Sequence, residues 1–135
     1  KELITLAEEL ELLNSYLFIQ SKRYGSALQV TVNIDTELKR STFIPPLVLQ
    51  LLAENAVKHN TISKDKPLYI NIVSEPGQLV MRNNISPKLE KEESEGVGLK
   101  NIQNRYRLLT NREVRQEETS NEFIIRLPLI YIDGI

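Results

Sequence analysis

The chain has 135 residues, 41% of them hydrophobic, and a net charge of −1 with both signs interspersed. This suits one compact soluble unit and excludes a general electrostatic affinity for nucleic acid or anionic lipid. Without cysteine and with a single histidine, it has no disulfide, no thiolate metal site, no thiol catalysis and no multi-histidine metal centre.

No apolar run approaches the roughly 20 residues of a membrane span. The start, without Met and inside a helical pattern, marks the chain as an expected segment of a longer protein. From Glu2 to about Tyr24, Leu3, Leu6, Leu10, Leu13 and Leu17 recur at spacings of three and four, which predicts a long amphipathic helix. Glu8, Glu9, Glu11, Lys22 and Arg23 are expected on its solvated side, with the acids near the favourable end of the helix dipole. Gly25 stops it. Leu28, Val30, Val32 and Ile34 then alternate with polar neighbours as a strand with one buried face, and Thr36 to Phe43 reads as a connection.

The stretch PPLVLQLLAENAVKHN, Pro45 to Asn60, is the centre of the chain. Two prolines suit a first helical turn, and Ser41 or Thr42 is placed to cap the approach. At about 100° per residue, Leu49, Leu52, Ala53, Ala56 and Val57 share one face, while Glu54, Asn55, Lys58 and His59 gather on the other. So apolar a helix is buried, and its polar groups need partners. Either Glu54 and Lys58 pair at i, i+4 with Asn55 on backbone, or the cluster holds a ligand such as Mg²⁺ with phosphates.

TISKDKP is turn chemistry. Leu68, Ile70 and Ile72 form a strand that Pro76-Gly77 turns back through Leu79 to Arg82 as a hairpin. Asn83 to Glu95, with almost nothing to bury, reads as a mobile loop. It ends in Gly96-Val97-Gly98-Leu99, after which Ile102, Tyr106 and Leu109 continue a helix of about three turns. Glycines here serve either as a hinge or as an approach for phosphate to bare N–H groups. Glu113–Glu117 and Glu122–Leu129 close the chain as a second hairpin. The order predicts an α+β two-layer sandwich, a mixed, mostly antiparallel sheet with helices on one face.

LLAENAVKH resembles the N-box of the GHKL (Bergerat-fold) ATPases, and GVGLKNIQNRYRLL their second glycine box with its following helix. PPLVLQLLAENAVKHN together with this box is similar to the LytS/YehU-type sensor histidine kinases, and the opening helix to the segment that joins their phosphoacceptor region to the ATPase domain. The resemblance implies residues 1–25 as that connecting helix, packed as the first helix of the domain, and residues 26–135 as the ATP-binding catalytic domain. It implies ATP and Mg²⁺ as cofactors, with Asn55 as the Mg²⁺ ligand and Glu54 as the catalytic acid beside it. Lys58, His59, Gly96, Gly98, Leu99 and Asn101 fall near the nucleotide, with Arg105 on the same helix and the 83–95 loop as the lid.

Two departures stand out. Where relatives carry an Asp-x-Gly box, this chain reads MRNNISP, leaving Asn83, or alternatively Asn84, to meet adenine; a carboxamide can accept from the exocyclic amine and donate to a ring nitrogen. Losing the acid removes a charge-assisted bond. The only histidine is His59, so the phosphoacceptor is expected upstream. The implied function is transfer of the ATP γ-phosphoryl to that histidine in a cytoplasmic domain of a dimeric, inner-membrane sensor. A response regulator is its further partner, with neither nucleic acid nor membrane touching the domain. A non-catalytic GHKL interaction module and a GHKL ATPase outside histidine signalling are the alternatives.

Overall fold

The computed structural model describes residues 2–88 and 97–131, with backbone alone at Val97. A two-residue strand, β1 (Ile4–Thr5), precedes helix α1 (Leu6–Tyr24), so the helix starts later than its leucine pattern suggests. Thr5 explains the start: its hydroxyl accepts from Glu8 N–H at 3.1 Å while the Glu8 carboxylate accepts from Thr5 N–H at 3.0 Å, a reciprocal capping box. Leu6, Leu10 and Leu13 are buried, and Gly25, with φ 54°, ends the helix.

Strand β2 (Leu28–Asn33) follows. The expected plain connection contains a short helix α2 (Thr36–Ser41), capped by Asp35, and strand β3 (Thr42–Ile44). Thr42 does not cap the central helix; its hydroxyl donates to the Leu38 carbonyl. The central helix α3 runs Val48–His59, so the two prolines precede it rather than form its first turn. Leu52, Ala53, Ala56 and Val57 are buried along it.

Strands β4 (Leu68–Glu75) and β5 (Gln78–Asn84) form the expected hairpin around Gly77, whose φ of 77° a side chain would resist. Helix α4 (Val97–Thr110) and strands β6 (Arg115–Glu118), β7 (Glu122–Pro128) and β8 (Ile130–Tyr131) complete the described chain. The main sheet has the order β2-β4-β5-β7-β6, parallel only between β2 and β4, where α2, β3 and α3 make the crossover a parallel pair requires. A small sheet, β1-β3-β8, gathers the opening and closing strands.

The register aligns Ile72 with Met81 and Ile125, and Leu79 with Leu127, on the face that the helices cover. The α+β sandwich is therefore as expected. Tyr106 of α4 is fully buried in this core and its hydroxyl donates to the Pro128 carbonyl at 2.8 Å.

One surface assignment is overturned. Glu9 is fully buried, and its two carboxylate oxygens accept from Leu47 N–H and Leu49 N–H, each at 2.7 Å. It lies three residues from Leu6 and four from Leu13, inside the apolar stripe, so helical geometry turns it inward to the uncapped start of α3. No helix of the described residues is long and apolar enough to cross a membrane.

Candidate functional site

A cleft of about 350 Å³ opens between α3 and the sheet. Its helix wall is Leu52, Asn55, Ala56 and His59; its floor is Met81 and Asn83 of β5 with Phe123 and Ile125 of β7. Asn60 just past α3, Leu99 of α4, Gln116 and Glu118 of β6, and Ile85 and Pro87 complete the lining. The apolar floor with a few amides at its edges is the composition of a small-molecule site.

Asn55 is brought to this cleft by helical phase, being on the flank of α3 just past the buried stripe. Gly98, in the first turn of α4, packs directly on its amide. A Cβ added at 98 would lie 3.0 Å from Asn55 Oδ1 and 3.2 Å from Nδ2. That contact gives Gly98 a steric reason distinct from a hinge. Gly96 lies outside the described residues.

Asn83 is the last inward-facing residue of β5, set by the register between Ile70 and Phe123 and mostly buried. Its Nδ2 donates to the Asn84 carbonyl at 2.9 Å, which orients the amide oxygen as the remaining acceptor. Asn84 points elsewhere: its amide bridges Tyr69 N–H and the Pro67 carbonyl, a structural clasp.

The other expected residues are distributed around the cleft rather than lining it. Glu54 accepts from Gln50 Nε2 at 3.3 Å and lies on the α1 side of α3, where burial first, then the charges of Glu54 and Tyr24, push the Tyr16 hydroxyl up to about 12. Lys58 is half-buried one turn beyond Glu54, and Asn101 is exposed on α4. Arg105 donates to the Pro46 carbonyl at the opposite end of α3 from the cleft.

Sequence reasoning missed Asn60, Gln116 and Glu118. Asn60 is buried and ties the end of α3 to the chain after β5: its Nδ2 donates to the Ala56 carbonyl at 2.8 Å and its Oδ1 accepts from Ser86 N–H at 2.7 Å. Ser86 and Pro87, expected within a mobile loop, are thereby fixed; residues 89–96 of that loop lie outside the described residues. The signal for Asn60 was its residue type, since an asparagine just past a helix end can bond back to the backbone through its side chain. Gln116 and Glu118 lie opposite Ile125 and Phe123, which only the register reveals.

No family model matches the chain. It is 45% identical over 60 residues to the sensor histidine kinase BtsS of Escherichia coli strain K12, covering 44% of this chain and 10% of that protein. It is 31% identical over 116 residues to the sensor histidine kinase YesM of Bacillus subtilis, covering 80% of this chain and 20% of that protein. The chain belongs to the GHKL-type histidine kinase catalytic domains.

This kinase-family domain thus spans a tenth to a fifth of the relatives it matches. Its fold is that of the catalytic domain of histidine kinase ThkA, with a TM-score of 0.61 at 16% identity over 95% of this chain and 98% of that one.

Among the described residues of the kinase-family domain, no three His, Cys, Asp or Glu side chains converge to hold a metal ion. The Asn55 side chain offers a carbonyl oxygen at the cleft wall, the donor type that suits a hard cation keeping most of its waters.

Proposed function

We propose that the cleft binds ATP with Mg²⁺ and that this domain transfers the γ-phosphoryl group to a histidine on an upstream helical segment. The observation that supports it best is the placement of Asn55, its amide on the cleft wall and against the first turn of α4. In this reading the Asn55 oxygen is the protein ligand to the ion, which when bound offsets charge on the bridging phosphates.

The rest is positioning by the chain. Met81, Phe123 and Ile125 support one face of the adenine, and the Asn83 carbonyl accepts from its exocyclic amine. The first turn of α4, at Gly98 and Leu99, presents backbone N–H groups to phosphate oxygens. Lys58 adds positive charge, the His59 ring donates a hydrogen bond, and Asn101 follows on α4. Glu54 takes the hydrogen bond of the attacking imidazole and orients it. A nitrogen–phosphorus bond forms, the bond between the γ-phosphorus and its bridging oxygen breaks, ADP leaves, and the ring N–H proton of the imidazole passes to Glu54.

The phosphoacceptor belongs to the same kinase. A response regulator consumes the phosphohistidine, and the parent is a dimer with this domain in the cytoplasm. Titration calorimetry tests the reading: the unaltered chain binds Mg-ATP, and Asn55→Ala abolishes that binding while circular dichroism stays the same. Unchanged affinity in the variant contradicts it.

A further inference from the structure

The helix that carries Glu54 and Asn55 begins without a cap of its own. Leu47, the residue before its first turn, offers no hydrogen-bonding side chain and has a left-handed backbone with φ 69°, an unfavoured conformation for leucine. The missing acceptor comes from α1, 38 residues earlier in the chain: Glu9 Oε1 takes Leu47 N–H and Oε2 takes Leu49 N–H. Arg105 of α4 donates to the Pro46 carbonyl next to this point, and its charge acts on Glu9. Three helices therefore meet at one buried carboxylate.

We infer that Glu9 is a positioning residue for the nucleotide site, holding the axial position of α3 and hence of the Asn55 amide. This rests on the nucleotide reading above. The buried stripe of Leu52, Ala53, Ala56 and Val57 fixes which face of α3 turns inward. Two short, directional hydrogen bonds to one carboxylate add an anchor at its first turn, where the bare N–H groups have no cap of their own. Octahedral Mg²⁺ demands near-ideal ligand placement, so a small slide of α3 is felt about two turns later at Asn55. The reference frame is rigid, since α1 is fixed by its own capping box and by buried Leu6, Leu10 and Leu13. The position of α1 is thus read out as affinity for the metal-bearing nucleotide.

The test is a calorimetric titration with ATP, in Mg²⁺ and in EDTA, of the unaltered chain and Glu9→Gln. Glutamine keeps the volume of Glu9 but turns an NH₂ toward one of the two N–H groups. The expected result is a loss of about tenfold in Mg-ATP affinity and no change for ATP in EDTA. Unchanged Mg-ATP affinity, or an equal loss in EDTA, overturns the inference while leaving the nucleotide reading in place. Should Glu9→Gln fail to fold, Arg105→Gln loosens the same junction from α4 and is expected to give the same magnesium-selective loss, its absence overturning the inference. No binding by the unaltered chain removes the nucleotide reading and this inference together.

Discussion

The contact between Gly98 and Asn55 makes opposite predictions for stability and for binding. An alanine at a helical glycine ordinarily stabilises by about 1 kcal/mol through propensity. At 98, however, its Cβ meets Asn55 Oδ1 at 3.0 Å, so the amide must shift by a few tenths of an ångström. Gly98→Ala is expected to leave the urea midpoint unchanged or raised while weakening Mg-ATP binding about tenfold, or about 1.4 kcal/mol. A parallel fall in both would place the effect in folding instead. Asn83 carries a separate expectation. Because its amide lines the cleft floor where adenine is proposed to lie, Asn83→Ala should weaken ATP while leaving the affinity for inorganic triphosphate unchanged, measured in the same titration.

Among the elements, α4 is held at three places: Gly98 against α3, Ile102 and Tyr106 in the core, and Arg105 on Pro46. The Tyr106 hydroxyl is the polar anchor between α4 and the end of β7. Tyr106→Phe leaves the Pro128 carbonyl without this partner and should cost roughly 1–3 kcal/mol in urea denaturation; a cost near zero would mean that water replaces the hydroxyl. These helices and the two hairpins were legible in the sequence because their apolar spacing reports burial directly. Asn55, Gly98 and Asn83 stood out as motif positions; Asn55 and Asn83 line the cleft, and Gly98 packs on the Asn55 amide. What the sequence hid was long-range geometry. The role of Glu9 depends on an N-terminus 38 residues away, β1, β3 and β8 are too short for a period to show, and β6, exposed throughout, has no alternation of burial to read.

At the scale of the whole molecule, the buried Glu9 carboxyl links folding to pH. Desolvation raises its pKa above the ordinary 4.5, opposed by the N–H groups of Leu47, Leu49 and Gln50 and by Arg105. The folded chain therefore holds this proton more tightly than the unfolded chain. The stabilising contribution is complete below about pH 4.5 and is lost as pH rises through the raised value. Relative to Glu9→Gln, the unaltered chain should lose stability as the pH rises above about 4.5 in urea melts; a relative gain would mean that the hydrogen bonds outweigh burial.

The kinase function proposed for this domain depends on a nucleotide held with its metal ion at Asn55. Titrating the unaltered chain with ATP, once with Mg²⁺ and once with EDTA, tests that claim most directly. One ATP per chain with clearly tighter binding in Mg²⁺ is the predicted result; no saturable binding, or equal affinity with and without the ion, would contradict it.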